Sequence, residues 1–313
     1  MDGILIIDKP AGITSHDVVN TVRRILGIRR VGHTGTLDPF ATGVMVVLVG
    51  KATRLARFLD KDEKEYEALM RIGFETDTGD RTGKKIEEEG IPHPFMTDMR
   101  AILVAMMGFF DEIEQIPPMF SAKKINGQKL YERARRGENV ERKPVKVEIH
   151  EMMLFENNGK WPWPPHDLLA RTKDVGLRVV CSAGTYIRTL AEDIARAAGT
   201  RAHLAELDRT RSGRFKKEMA ISLEELEAMP HPGSALLPLE EAVSHLPAFE
   251  LPPERVSPTL KGLSTRIKET DRLIPDTDYR MISPQKELVA IGSFDPHENV
   301  IRPKLVLGGD NRS

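Results

Sequence analysis

Apolar runs alternate with polar, turn-forming segments through the first two thirds of the chain. A strand is predicted at 4–7, and residues 18–26 carry apolar positions at helical spacing behind a cap at Thr14 or Ser15. The same patterns predict further elements, namely strands at 44–49, 66–74, 145–155 and 175–182, and helices at 53–59, 97–107, 128–136 and 187–198. The sequence therefore predicts a domain of mixed strand and helix content.

The character of the chain changes after Pro238. Proline recurs at four positions between 247 and 258, and only short strand-like runs follow, at 288–291 and 304–307. With 313 residues, the chain has the usual length of two domains. We therefore predict a larger domain over 1–240 and a small β-rich domain over 245–313.

Composition excludes several classes of protein. Forty per cent hydrophobic and thirty per cent charged residues are ordinary for a globular protein in water, and the longest apolar run, 101–107, is too short to cross a bilayer. No charged start leads into an apolar signal segment, and the single Cys181 cannot form an internal disulfide. We expect a cytoplasmic protein with no membrane partner.

The motifs of common cofactors are missing from the sequence. Gly50-Lys51 suggests a phosphate-binding loop, but Met45 stands where that motif needs glycine and Ala52 where it needs serine or threonine. The nine histidines have no metal-ligand spacing, and no glycine-rich dinucleotide motif follows a strand. We therefore expect chemistry without a metal or a nucleotide cofactor.

Charge is unevenly distributed, although the net charge is only −1. The segment 115–150 contains nine basic and four acidic residues, whereas 58–114 is acid-rich around the triplet 87–89. A basic stretch in a neutral protein is either a surface that binds phosphates or a solvated helix face. Charge alone does not choose between the two.

The most promising candidate for chemistry is Asp38, in the segment 35–43. This carboxylate lies in a turn framed by glycines and a proline, directly before an apolar strand. Glycines let the backbone and a ligand approach closely, so the turn suits a single acid that acts as nucleophile or base. The alternative is an Asp-Pro pair that only starts a turn.

Three other segments combine tight backbone with reactive or stacking side chains. His33 lies in a glycine turn, and Tyr66 offers a flat face for stacking on a base. Arg188 follows Gly184 at the start of a predicted helix, where it could pair with a buried carboxylate and keep it ionised. Each has a plainer alternative: a structural histidine, a core tyrosine and a surface arginine.

Taken in order, these segments resemble the bacterial tRNA pseudouridine synthases of the TruB type, which act on uridine 55 of the T-loop. The resemblance covers roughly residues 1–230. Its order and spacing are far more specific than any single motif. The tail after 245 more weakly resembles the small RNA-binding PUA domain of that family. The matching segments are 9–15, 35–43, 76–83, 117–122, 130–135, 184–188, 202–204 and 209–213.

The resemblance implies a fold and an activity. The fold is α+β, with a mixed, mostly antiparallel central sheet flanked by helices, and 115–150 is a basic insertion that contacts RNA. The activity is the isomerisation of uridine 55 to pseudouridine, in which the base is flipped out and the glycosidic bond is cleaved and re-formed. The implied partner is the T-stem-loop of tRNA, the implied state is a monomer, and no cofactor or metal is implied.

The resemblance also assigns roles to single residues. Asp38 corresponds to the catalytic aspartate, and the supporting positions are its partner Arg188, the aromatic Tyr66 beneath the flipped uracil, Tyr186 in the pocket wall, His33 at the T-loop and the apolar pocket residue Leu204. Basic residues expected to meet RNA phosphates are Lys9, Lys124 and Arg133. Two routes stay open for Asp38: it adds to the sugar, or it abstracts a proton to give a glycal.

The sequence departs from the family pattern at four places. Asp208 and Lys123 stand where a basic and an apolar residue are common, respectively; 160–165 is a Trp-Pro loop without a counterpart; and 261–264 matches only loosely. Two rival functions remain at this stage. One is a non-catalytic RNA-binding protein on the same scaffold, and the other is a guide-directed enzyme of the same chemistry.

Overall fold

The computed structural model describes residues 1–59, 62–86, 99–121, 123–125, 127–130, 133, 136–138, 140–154, 174–267 and 273–307. At 124, 125 and 129 only the backbone is described. The Trp-Pro loop at 160–165 lies outside the described residues.

The described elements follow the mixed order that the sequence predicts. The strands are β1 Gly3–Lys9, β2 Val31–Thr34, β3 Thr42–Val49, β4 Lys64–Ile72, β5 Asp111–Gln115, β6 Lys124–Ile125, β7 Gln128–Lys129, β8 Val145–Leu154, β9 Asp174–Cys181, β10 Ala202–Ser212, β11 Phe215–Lys216, β12 Ala248–Glu250, β13 Thr265–Arg266, β14 Asp278–Ile282, β15 Leu288–Asp295 and β16 Val300–Val306. The α-helices are α1 Ser15–Leu26, α2 Ala56–Leu59, α3 Met99–Met106, α4 Ile187–Ala197, α5 Leu223–Ala228 and α6 Pro253–Leu260. Short 3₁₀ helices are Gly50–Leu55, Met107–Phe109, Lys217–Met219, Pro232–Ala235 and Leu239–Val243.

Nine of the described strands form the central sheet, in the order β1-β3-β10-β4-β9-β8-β5, with β2 added on β3 and β11 on β10. The pairing of β10 with β3 is parallel, and the other described pairs of this sheet are antiparallel. The predicted mixed, mostly antiparallel sheet is confirmed. Strand β10 joins the two halves of the sheet, because it pairs with β3 on one side and β4 on the other.

Helices cover the sheet through apolar stripes. Helices α3 and α4 pack against β4, β9 and β10, and α1 packs with α5 against β1 and β3. Helix α1 begins at a capping box, in which Thr14 accepts from the backbone of Asp17 and the Asp17 carboxylate accepts in return. It ends at Gly27, whose left-handed backbone turns the chain towards β2. The predicted cap and helix are confirmed.

A second sheet of five strands, in the order β12-β14-β15-β16-β13, lies within residues 248–306. Its apolar residues Leu288, Ile291 and Leu305 join the core formed by β1, β3 and α2. Arg54 also donates a hydrogen bond of 2.6 Å to the carbonyl of Val306. The small β-rich fold predicted for this part of the chain is present and packs on the first sheet.

Two predicted helices differ from the structure. Residues 50–55 form a 3₁₀ helix, and only 56–59 are α-helical. The predicted helix at 128–136 instead opens with β7, which pairs with β6 across a turn at Gly127. The left-handed backbone of Gly127 suits such a turn. Across the described ranges, no helix is both long and apolar enough to span a membrane.

Candidate active site

A cavity of about 250 Å³ opens where the 35–41 loop, β4, β10 and the start of α4 meet. Asp38, Tyr66, Tyr186 and Arg188 line it, together with Arg209. The outermost of these residues, Asp38 and Arg209, are 171 positions apart in the sequence, and the sheet order brings them together. The cavity therefore unites four of the residues that the sequence singles out.

The Asp38 loop is tied down on both sides of the carboxylate. The Ser15 hydroxyl accepts from the Leu37 amide at 2.9 Å and donates to the Leu37 carbonyl at 3.0 Å. The carbonyl of Pro39 accepts from the Gly12 amide at 2.7 Å, and Phe40 is buried in the core. The turn is therefore rigid, which favours a precisely placed carboxylate.

Two glycines of the loop allow contacts that a side chain would block. Gly43 has φ +104°, and a Cβ there would lie 2.3 Å from the carbonyl oxygen of Arg209. Gly35 has φ +71°, and its carbonyl accepts a hydrogen bond of 2.9 Å from the Arg209 guanidinium. Arg209 also donates to the Val44 carbonyl at 2.7 Å. This buried arginine holds both ends of the Asp38 loop.

Lys9 is a structural residue of the loop and not the exposed phosphate-binding cation that we expected. Its side chain is fully buried, and Nζ donates to the carbonyls of Pro10 at 2.8 Å, Pro39 at 3.3 Å and Ala41 at 2.7 Å. Burial lowers the pKa of Lys9 to about 8, an effect that the charge of Asp38 opposes. The expectation was wrong because the carbonyls of Pro10 and of the Asp38 loop bind the amine, which has no exposed surface.

Replacing Lys9 by methionine should destabilise the fold by about 3 kcal/mol, because three carbonyls lose a charged donor and stay buried. Urea unfolding of the free protein measures the change. The matched control is Lys286→Met, which removes a side chain that is 65% exposed. Equal midpoints for the two variants would contradict the role of Lys9 in holding the loop.

Arg188 grips Asp38 with two parallel contacts. Nε lies 2.8 Å from Oδ2, and Nη2 lies 2.9 Å from Oδ1. The arginine side chain is 5% exposed, whereas that of Asp38 is 29% exposed where it faces the cavity. A side-on pair of this kind fixes the orientation of a carboxylate as well as its charge.

Two further N–H groups of Arg188 donate to backbone carbonyls. Nη1 donates to the Thr78 carbonyl at 2.6 Å, and Nη2 donates to the Phe120 carbonyl at 2.8 Å. A second buried carboxylate, Asp80, lies 3.8 Å from Nη1. Asp80 is held in turn by the Thr82 amide at 2.8 Å. The guanidinium therefore has one available position, set by the segments 76–83 and 115–121.

Opposing effects act on the pKa of the Asp38 carboxyl. Burial raises the pKa of its carboxyl above the ordinary value, and the nearby Arg188 charge pulls the pKa back down. The charge of Asp80 adds to the upward shift, while Lys9 acts against it. Arg188 is thus the main group that favours the ionised form.

Both cavity tyrosines stay protonated at neutral pH. Burial raises the pKa of Tyr66 and of Tyr186 above the ordinary value. Tyr66 extends from β4 beside Arg209, with which it pairs in register. Tyr186 stands directly before α4. Their rings supply flat walls for a planar ligand, and a phenolate is disfavoured at either position.

Two predicted site residues lie outside the cavity. His33 is on β2, paired with Val47 of β3, and does not line the cavity. Leu204 is fully buried in the core, and the cavity wall is formed by Leu207 further along the same strand. The resemblance assigned the pocket position to Leu204, three residues before the leucine that lines the cavity. The register of β10 against β4 shifts between Leu204 and Glu206, and the sequence gives no sign of that bulge.

The basic insertion is described only in part. Arg133 donates to the Glu138 carboxylate at 2.7 Å, a pair that Arg136 shares. The side chain of Lys124 lies outside the described residues.

Asp208 is fully buried and pairs with Lys217 at 2.8 Å, while the Thr42 hydroxyl donates to it at 2.6 Å. This acid is therefore part of the β3–β10 junction.

Sequence reasoning missed Asp80, Leu207 and Arg209 as parts of the site. Asp80 and Arg209 fall in matching segments, at 76–83 and 209–213, and their position there was the available signal. Leu207 lies between the segments 202–204 and 209–213. Burial and partners are what distinguish these residues from their neighbours, and both depend on the folded sheet.

The arrangement holds one carboxylate in position at a cavity that suits a flat ligand. Asp38 faces a cavity walled by Tyr66 and Tyr186, and Arg188 holds it in place. A positioned carboxylate can add to an electrophilic carbon or remove a proton. In the described part of the chain, no group of three or more His, Cys, Asp or Glu side chains is placed to hold a metal ion.

Comparison with known proteins gives matches along the whole chain. Two family models match: the TruB family pseudouridylate synthase N-terminal domain at residues 23–187, and the tRNA pseudouridylate synthase B C-terminal domain at 188–244. The chain is 39% identical to tRNA pseudouridine synthase B of Geobacillus thermodenitrificans, over 98% of this chain and 99% of that protein. It is 43% identical to the protein of the same name from Thermobifida fusca, over 96% and 93%.

Two solved structures contain chains of similar fold. An H/ACA RNP bound to a substrate RNA containing 2′-deoxyuridine has a chain with a TM-score of 0.68 and 26% identity, matched over 99% of this chain and 86% of that one. A Cbf5-Nop10-Gar1 complex has a chain with a TM-score of 0.69 and 27% identity, over 98% and 85%. The protein described here belongs to the TruB family of pseudouridine synthases.

Proposed function

We propose that this protein isomerises uridine to pseudouridine at position 55 in the T-loop of tRNA, with Asp38 as the catalytic residue. The observation that carries the proposal is the Asp38 carboxylate, held side-on by buried Arg188 at the edge of a cavity with aromatic walls. Membership of the TruB family supports the reaction, and the relatives named tRNA pseudouridine synthase B support tRNA as substrate.

The reaction breaks the N1–C1′ bond of uridine and joins C5 to C1′. The proton leaves C5, and N1 gains one, so no oxidant, reductant or energy source is needed. Addition of Asp38 to the sugar and abstraction of a sugar proton by Asp38 both require the ionised carboxylate. The pairing with Arg188, which opposes the effect of burial, supports that state.

The substrate base must leave the stack of the RNA loop before it can enter the cavity. Flipping costs on the order of a few kcal/mol, and stacking on an aromatic ring returns about 1–3 kcal/mol per base. Tyr66 is the proposed stacking partner, with Tyr186 and Leu207 as further walls. His33 on β2 is proposed to contact the T-loop outside the cavity.

The wider RNA contacts and the domain division are part of the same proposal. Residues 1–240 form the catalytic domain, with 115–150 as its RNA-contacting insertion, and 245–313 form a PUA-like RNA-binding domain. Lys124 and Arg133 are proposed to meet RNA phosphates, giving an affinity that falls with salt. The proposed state is a cytoplasmic monomer.

Tritium release from T-stem-loop RNA labelled at C5 of uridine tests the function. The protein alone, without guide RNA or partner, should release tritium from position 55, and RNA with cytidine at that position should give none. Release that depends on an added guide RNA would favour a guide-directed enzyme. No release under any of these conditions would favour a binding protein and overturn the proposal.

A further inference from the structure

Helix α4 carries Arg188 in its first turn but has no cap from its own sequence. Helices α1 and α5 each begin with a capping box, in which the third helical residue bonds back to the N-cap amide. In α4 the N-cap is Tyr186, whose side chain makes no capping hydrogen bond, and the third residue is Thr189. The orientation of this turn therefore depends on a group from elsewhere in the fold.

Gln115 supplies that group. Its side chain is fully buried, and its amide makes both of its bonds to one residue: Oε1 accepts from the Tyr186 amide at 2.9 Å, and Nε2 donates to the Tyr186 carbonyl at 3.2 Å. The first bond is the one that the third residue makes in a capping box. In α4 the group that accepts this bond is Gln115 of β5, which lies 71 residues from Tyr186 in the sequence.

Gln115 also lies where the basic insertion leaves the sheet. It is the last residue of β5 and pairs in register with Val145, where the chain returns as β8. Five residues later, the Phe120 carbonyl accepts from Arg188 at 2.8 Å. The first residues of the 115–150 insertion thus bond both to the backbone of Tyr186 and to the guanidinium of Arg188.

We propose that Gln115 is a positioning residue, whose amide fixes Tyr186 and the first turn of α4 so that Arg188 meets Asp38 side-on. Gln115 does not line the cavity, so it acts through these residues and not on the substrate. The catalytic part of this inference rests on the proposed function. The bond to Tyr186 has a readout of its own, independent of activity.

Gln115→Glu is the decisive variant because its effect depends on pH. The ionised carboxylate cannot donate to the Tyr186 carbonyl, whereas a protonated carboxyl can donate to it and still accept from the amide. Burial raises the pKa of a carboxyl at such a site, so the protonated form is within reach. A residue that only fills space would give no such recovery.

The measurement is the single-turnover rate of pseudouridine formation at saturating enzyme, expressed as the ratio of variant to wild type. At mildly alkaline pH we expect this ratio to be about one tenth, roughly the loss of one well-placed hydrogen bond. It should rise towards one as the pH falls, with RNA affinity unchanged. Gln285→Glu, in an exposed turn, is the matched control and should keep a ratio of one.

Hydrogen exchange provides the second test, on the free protein. Gln115→Met keeps the volume but removes both bonds, and the amides of 186–190 should exchange faster while those of α1 stay unchanged. A rate ratio that does not vary with pH, together with unchanged exchange at 186–190, would overturn the role of Gln115. An inactive wild type would overturn the proposed function instead, and the exchange result would still decide whether Gln115 holds Tyr186.

Discussion

Asp38→Asn should abolish tritium release from T-loop RNA, with a rate loss of at least about 10,000-fold, the upper range for a positioned acid or base group. Asparagine fills the same space but can neither add to the sugar as a nucleophile nor accept a proton. RNA binding should stay close to wild type because the carboxylate contributes no phosphate contact. Filter binding with the same T-stem-loop, beside the tritium assay, separates the two effects.

The matched control for this variant is Asp174→Asn. Asp174 also pairs with an arginine, Arg71, but on the surface between β4 and β9. It should keep full activity, since a surface pair contributes only about 0–1 kcal/mol. Residual turnover of Asp38→Asn above one per cent of wild type would assign the chemistry to another group.

Arg188→Ala should lower the single-turnover rate by about 100–1,000-fold, the scale of losing one preorganised electrostatic contact at a reacting group. Burial raises the pKa of Asp38, and Arg188 is the main group that opposes this shift. Without the guanidinium the carboxyl pKa rises further. Because the active form is the carboxylate, the rising limb of the pH–rate profile should move to higher pH.

Two comparison variants make this result specific. Arg196→Ala removes another arginine of α4 that pairs with a carboxylate, Glu75, and should leave the profile unchanged. Arg188→Lys keeps the charge but loses the side-on geometry, so it should recover the position of the rising limb more than the maximal rate. An Arg188→Ala profile that coincides with wild type in position would refute the electrostatic role.

Local signals explain why much of the fold could be predicted. The cap at Thr14 and the apolar spacing of the following residues gave α1, and the apolar run after Gly43 gave β3. The left-handed glycine at 184 marked the change from β9 to α4. Each of these signals lies within a few residues of the structure that it specifies.

Long-range packing explains what the sequence did not reveal. Lys9 was expected to meet RNA phosphates, but the structure buries it against three backbone carbonyls, two of which come from the Asp38 loop. Leu204 and Leu207 are both apolar residues of β10, and the bulge between them places both on the same face, where only their position along the strand puts Leu207 in the cavity wall and Leu204 in the core. Gln115 carries no local mark of its bonds to Tyr186.

At the site, too, local motifs identified the residues, whereas long-range packing sets their contacts. The family motifs named Asp38 and Arg188, but their side-on contact joins positions 150 residues apart. Physical reasoning gave the pairing as a possibility, since a buried carboxylate needs a cation. The position of the guanidinium comes from the carbonyls of Thr78 and Phe120, which no sequence pattern identifies.

The central place of β10 has a consequence for how the protein folds during synthesis. Strands β1 to β3 and strands β4, β5, β8 and β9 can pair within their own groups, but β10 is what lies between β3 and β4. Until residues 202–212 leave the ribosome, both strands expose an open edge, and edges of this kind invite wrong pairing. The Asp38 loop also lacks Arg209 until then. The loop that carries Asp38 therefore gains its full set of contacts only after β10 has been synthesised and has paired with β3 and β4.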